Sequence, residues 1–329
     1  MVFFSSPAGQ YVVQVLAHSM LMALVVEALV KIWEVTRPGT RLQFRLLYLL
    51  VPLMGWPLYQ LLWPDRGSAE FRQTLALIDM QQFLPLHLGG LPIWAWVSVV
   101  MGLGTLLFAG RALIPTLHNL ISADGEEASP APELVNKLNR SAQKLGNLPV
   151  SNARIVTGPW PGAYLSGLNR SRLTVSAPLV ELLDEEELEA VLAHESAHAF
   201  HRDNPRGWSL LLLGSVMFYN PVALVALQRI SQDVEMACDD DAVVWTGRPL
   251  ALASALLKTA DVSIGTGLES TAPTPVAWLS RLDARVRRNM VVERVSRLSH
   301  YGTPQDVPLK RLRLALTALL SGALLFFVV

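Results

Sequence analysis

Residues 11–30, "YVVQVLAHSMLMALVVEALV", constrain this chain most. Apart from His18 and Glu27 the stretch is largely apolar, and its 20 residues match the roughly 20 that a bilayer-spanning helix needs. Residues 1–10 hold no lysine or arginine and no small-residue cleavage site follows, so the stretch reads as a retained span and not as a secretory signal. Three further stretches invite the same reading. Residues 46–63 carry Pro52, Gly55 and Pro57, which a membrane helix tolerates better than a soluble one. Residues 91–109 contain Gly102 and Gly104, where a neighbouring helix can come close, and residues 314–329 hold no charge. Only 16% of the chain is charged, against about 25% in ordinary soluble domains. With a net charge of zero, a lipid bilayer is the expected partner and nucleic acid is not.

The basic residues orient these spans. Lys31, Arg37, Arg41 and Arg45 lie between the first two, with Glu34 as the acid, whereas Arg66 and Arg72 are outweighed by Asp65, Glu70 and Asp79 in the next loop. The positive-inside rule then puts the N-terminus outside and the chain after Arg111 in the cytoplasm. Residues 281–313 agree, with nine basic residues and three acidic ones before the last span. Glu27, four residues before Lys31, is expected to pair with it, and His18 to bond a neighbouring helix.

Between the third and last spans, residues 122–133 read as a loop. "LVNKLNRSAQKLG" reads as an amphipathic helix stopped by Gly146. Its Ser141 and Lys144 spell S-x-x-K, a chance match, because the companion S-D-N and K-T-G motifs are missing. "ARIVTG" and "RLTVSAP" predict short strands, with a further strand around Ala163 to Leu165. A helix follows. Asp184 and Glu187 form a capping box, Leu183 and Leu188 a hydrophobic staple, and the helix is expected to end before Pro205.

That helix carries "AVLAHESAHAFHRDN". His194 and His198 are one turn apart, so both imidazoles can reach one metal ion. Glu195 beside them is placed to take a proton from an attacking water and hand it to a leaving amine. A chain of this composition spells the pattern by chance about once in a hundred, so a third ligand is needed to support it. Glu235 is favoured over His201, and Asp239 can hold the second ring nitrogen of a ligand histidine. Asp240 and Asp241 read as a solvated acidic face. Cys238, the single cysteine, reads as a small packed residue, and it excludes an internal disulfide and a Cys-rich zinc cluster. Residues 208–227 are uncharged and long enough to span, but a single crossing would put Glu235 on the far side from His194. Asn220-Pro221 therefore predicts a hairpin that dips into or lies against the membrane and returns.

"AVLAHESAHAFHRDN", "FYNPVALVALQRISQDVEMACDDDAV", "LALASALLKTA" and "LSRLDARV" resemble the BlaR/MecR antirepressor-type integral-membrane zinc metallopeptidases. Membrane proteases of the CAAX-prenyl and HtpX type share the same motif logic. The resemblance implies one catalytic zinc ion held by His194, His198 and Glu235, with Glu195 as base and Asp239 in support. It implies a mainly α membrane protein, with transmembrane helices and a cytoplasmic α+β zincin-like domain containing a small sheet. The domains are expected at 1–112 (three spans), 113–310 (zinc domain) and 311–329 (last span), in a bacterial inner membrane. Antibiotic-sensing members continue into a penicillin-binding sensor, whereas the sequence to Val329 carries the protease module, so β-lactam sensing is not expected. The expected substrate is a protein or peptide; the resemblance implies a repressor, and the basic run 285–288 suggests the chain itself as another. Tyr164, Arg202 and Tyr219 are candidates for stabilising the oxyanion. A general quality-control protease and a scaffold with structural zinc are the alternatives.

Overall fold

The computed structural model describes residues 2–110, 131–146, 153–157, 161–166, 172–266, 284–302 and 306–329. The expected loop up to residue 130 and the expected boundary at 112/113 lie outside them. So do the side chains of residues 285–287, although the backbone of that basic run begins a helix. The described chain is mostly helical and divides into two units. One comprises Met1–Phe108, Leu213–Asp233 and Gln305–Val329, and the other Ala109–Leu212 and Val234–Pro304.

In the first unit the apolar stretches are helices: Pro7–Ile32, Pro38–Leu62, Ile93–Phe108 and Lys310–Phe326. Among the described residues, Pro7–Ile32 alone is long and apolar enough to cross a membrane; Ile93–Phe108 is apolar but has 16 residues. Pro52 and Pro57 lie inside the second helix without ending it. His18 is buried, but its Nε2 lies 3.0 Å from the Val328 carbonyl, past the end of the last helix, and so meets a chain end where a neighbouring helix was expected. The last helix ends with carbonyls that its own turn cannot satisfy. The buried guanidinium of Arg66 supplies them, donating to Phe326 O at 2.7 Å and Leu325 O at 3.1 Å.

The expected Glu27–Lys31 pair does not form. Glu27 accepts instead from Arg45 at 3.1 Å, from Arg229 at 2.8 Å and from Tyr48, while Lys31 is exposed. Arg45 also reaches Asp233 at 2.6 Å, and Arg41 meets Asp233 at 2.8 Å. A half-buried carboxylate gains more from two guanidinium groups on other helices than from one exposed ammonium a turn away. Those helices meet through tertiary packing, which local spacing does not reveal.

Each unit carries strands, the three-stranded sheet lying in the second. β1 (His87–Leu88) and β2 (Leu91–Pro92) form a small hairpin in the first unit. β3 (Arg154–Val156), β4 (Ala163–Ser166) and β5 (Arg172–Ser176) form a sheet in the order β3-β5-β4, parallel at β3–β5 and antiparallel at β4–β5. The expected amphipathic helix is Pro132–Lys144, and Gly146 follows it at φ +64°, a left-handed conformation that glycine adopts at low cost. Leu138, Leu173, Val175, Leu188 and Leu192 build one core between this helix, the sheet and the motif helix Glu185–His201.

The motif helix starts as its sequence dictates. Asp184 Oδ1 accepts from Glu187 N at 2.9 Å, and Glu187 Oε2 accepts from Asp184 N at 2.9 Å. Leu183 and Leu188 are both buried in the same core. Replacing Asp184 with alanine is expected to cost about 1 kcal/mol, read as a lower thermal midpoint. An unchanged midpoint would mean that the box does not hold this helix. At the other end Arg202 is left-handed, with φ 55° and ψ 47°, and the helix stops before Pro205.

Candidate metal centre

Two helices bring the motif residues together. The Glu185–His201 helix presents His194 and His198, and the helix Pro221–Thr246 presents Glu235 and Asp239. Pro221 lies at the start of that second helix. Asn220 caps it, with Oδ1 accepting from Val222 N at 3.0 Å and Ala223 N at 3.3 Å. The break at Asn220-Pro221 is thus a turn between this helix and Asp203–Val216. Small side chains let the two site helices approach: Ala190 and Ala193 pack with Ala242 in a buried cluster. Alanine at these positions keeps the backbones close enough for short polar contacts between the helices.

His194 Nε2 and His198 Nε2 lie 3.2 Å apart. Glu235 Oε2 is 3.5 Å from His194 Nε2, and its Oε1 is 3.7 Å from His198 Nε2. Zinc with donors at about 2.05 Å in a tetrahedron has donor–donor edges of about 3.3 Å. The two ring nitrogens and the Glu235 carboxylate therefore already stand at nearly the spacing that one such ion requires, and two regular helices bring them there. His201, the rival third donor, does not join them; its Nε2 meets Asp241 at 2.5 Å.

The far nitrogen of each histidine faces a carboxylate. Asp239 Oδ1 lies 3.0 Å from His194 Nδ1, and Asp203 Oδ2 lies 2.9 Å from His198 Nδ1. Such partners fix ring orientation, leaving Nε2 of both rings to converge. Asp203 is itself held by Arg206 at 2.6 Å. The left-handed turn at Arg202 swings Asp203 back beneath His198, and an arginine in that conformation gives no warning in the sequence.

Arg294, on the helix Ala284–Ser299, closes the centre. It donates to both Asp239 oxygens at 2.8 and 2.7 Å and to Glu235 Oε2 at 3.0 Å, and it is buried. Burial opposes the ionised form of every group here, yet the charges win. Arg294 and the histidines hold Glu235 down to about 2 and Asp239 lower still. Burial would lower His194, but Asp239 and Glu235 raise it to about 9. Burial raises Glu195 above the ordinary carboxylate range, with His198 and His194 opposing and Glu235 adding to the shift.

The remaining expectations fare unevenly. Asp240 is not solvated: it is 7% exposed, pairs with Arg297, and burial pushes it up to about 6 despite that partner. Cys238 is fully buried as expected, with its sulfur 3.4 Å from His198 Nδ1. Arg202 is exposed. Tyr164 lies on β4, while Tyr219 is buried in the first unit.

A partly buried His/His/Glu cluster on two helices, with a carboxylate behind each imidazole, has the donor set of a metallopeptidase centre. The family model described as BlaR1 peptidase M56 matches residues 87–286, more than half of the chain, and the chain belongs to that family. Curated relatives include the protease HtpX homolog of Campylobacter concisus, 28% identical over 51% of this chain and 70% of its own length. The protease HtpX homolog of Methylibium petroleiphilum is 28% identical over 54% and 74%, and that of Gemmatimonas aurantiaca 30% identical over 40% and 58%.

Proposed function

We propose that the chain is a membrane-embedded zinc endopeptidase in which His194, His198 and Glu235 hold the metal. The observation that carries this reading is the convergence of the two Nε2 atoms and the Glu235 carboxylate within 3.2–3.7 Å of one another, with a carboxylate behind each imidazole. Bound zinc supplies a Lewis acid that activates water and polarises a peptide carbonyl. Glu195, beside His194, takes the proton from the attacking water and returns it to the leaving amine. Asp239 and Asp203 keep the rings in place. A structural zinc site gives Glu195 no task, which weighs against the scaffold reading.

The helices Pro7–Ile32, Pro38–Leu62, Ile93–Phe108 and Lys310–Phe326 cross the bacterial inner membrane, with the N-terminus outside and the zinc domain cytoplasmic. The basic residues Lys31, Arg37, Arg41 and Arg45 support this orientation. The 208–227 hairpin stays membrane-associated. Substrates are cytoplasmic or membrane-proximal proteins. The family favours regulatory cleavage, of a repressor for instance; the relatives named protease HtpX homologs equally favour broad quality control. A survey of new protein termini with and without the enzyme separates them: a few cleaved proteins mean regulation, many damaged ones quality control.

The purified protein in detergent is expected to cut an unfolded protein, to stop when a chelator removes its metal, and to resume when zinc returns. Cleavage that persists without metal would overturn the reading. Asp203→Ala is expected to weaken zinc binding about 10–100-fold in competition with a chelator, since it frees the His198 ring. Unchanged affinity would remove Asp203 from the centre.

A further inference from the structure

Among the described residues β4 is an edge of its sheet, paired with β5 on one side. Gly162 O accepts from Ser176 N at 2.9 Å, so Gly162 faces β5. By the alternation of an antiparallel ladder, the N–H and C=O of Tyr164 also face β5, and those of Ala163 and Leu165 face the open side. One outward group is occupied. Asn204 Nδ2 donates to Leu165 O at 3.2 Å. Asn204 directly follows Asp203, the residue whose carboxylate meets His198. Adjacent residues of one helical turn thus tie the edge strand and a histidine of the metal centre together.

We propose that Asn204 is a positioning residue that sets the register of an extended substrate on β4. The inference rests on the peptidase reading above. An extended peptide adds to a sheet edge through its backbone N–H and C=O groups. With the Leu165 carbonyl held by Asn204, the outward groups left to it among the described residues are the Ala163 N–H and C=O and the Leu165 N–H. A strand can slip by two residues and keep its side chains on the same faces, whereas a slip of one reverses them. Ala163 to Leu165 is one such two-residue step. By occupying the Leu165 carbonyl, Asn204 disfavours the neighbouring register, so one peptide bond lies opposite the His194–His198–Glu235 centre. Its amide has no part in the chemistry itself.

The test uses the full-length zinc-loaded protein in detergent, with unfolded casein as probe and mass spectrometry to map each bond cut. Wild type is compared with Asn204→Ala and with Asn204→Leu, which keeps the side-chain shape but cannot donate. Zinc per chain and thermal midpoint are measured for all three. Both variants are expected to keep their zinc and to cut additional bonds two residues from the wild-type sites, with KM altered more than kcat. Unchanged cleavage positions in folded, zinc-loaded variants would overturn the inference and leave the peptidase reading intact. A zinc-loaded wild type that cuts nothing would overturn both.

Discussion

Glu195→Gln is expected to keep one zinc per chain and to lose about 10²- to 10⁴-fold in kcat, the range general acid–base catalysis contributes. Glutamine has the same shape as glutamate but cannot take a proton from water. Glu195 is not among the three clustered donors, so metal binding does not depend on it. Its stability effect has the opposite sign. Burial disfavours its ionised form, so a neutral isostere removes a desolvation cost and the variant unfolds no lower than wild type. Activity lost together with zinc would place Glu195 among the ligands. Activity retained in full would remove it from the reaction.

Arg294→Ala is expected to produce the largest loss of stability. Three of its nitrogens neutralise two acidic side chains, Asp239 at 0% exposure and Glu235 at 17%. Removing one partner of a buried ionic group leaves the other uncompensated, at about 3–5 kcal/mol. For a chain of 329 residues that lowers the midpoint of the metal-free protein by roughly 4–7 °C. Zinc brings two positive charges to Glu235, so it should recover part of the loss and stabilise the variant more than it stabilises wild type. Arg294→Lys should fall between them, because an ammonium keeps the charge but not the fork that spans both carboxylates. A metal-free Arg294→Ala protein that melts with wild type would show that these contacts carry little energy.

What was legible in the sequence was local. The Asp184–Glu187 box, the stop before Pro205 and the break at Asn220-Pro221 each depend on a few neighbouring residues, and each appears as expected. His194 and His198 converge because helical spacing alone brings them together, and Glu235 and Asp239 because they share a helix face. Arg294 could not be found this way. It lies 59 residues beyond Glu235, within a basic stretch that already had an explanation in membrane orientation. Glu27 misled for the same reason: its partners Arg45 and Arg229 come from other helices, while Lys31 was the near and obvious cation. Asp240 looked solvated because it stands in an acidic triplet, yet packing buries it against Arg297. Asp203 carried no signal of its role in the sequence, because its reach to His198 depends on the left-handed backbone at Arg202.

The described residues also contain a second cluster able to hold a metal, His198, Asp203 and Cys238. X-ray absorption at the zinc edge of the loaded protein decides between them. The account predicts nitrogen and oxygen neighbours at about 2.0–2.2 Å, including two imidazoles, and no sulfur, with the signal lost or weakened in Glu235→Ala. A sulfur neighbour at about 2.3 Å, or an unchanged spectrum and affinity in Glu235→Ala, would contradict it.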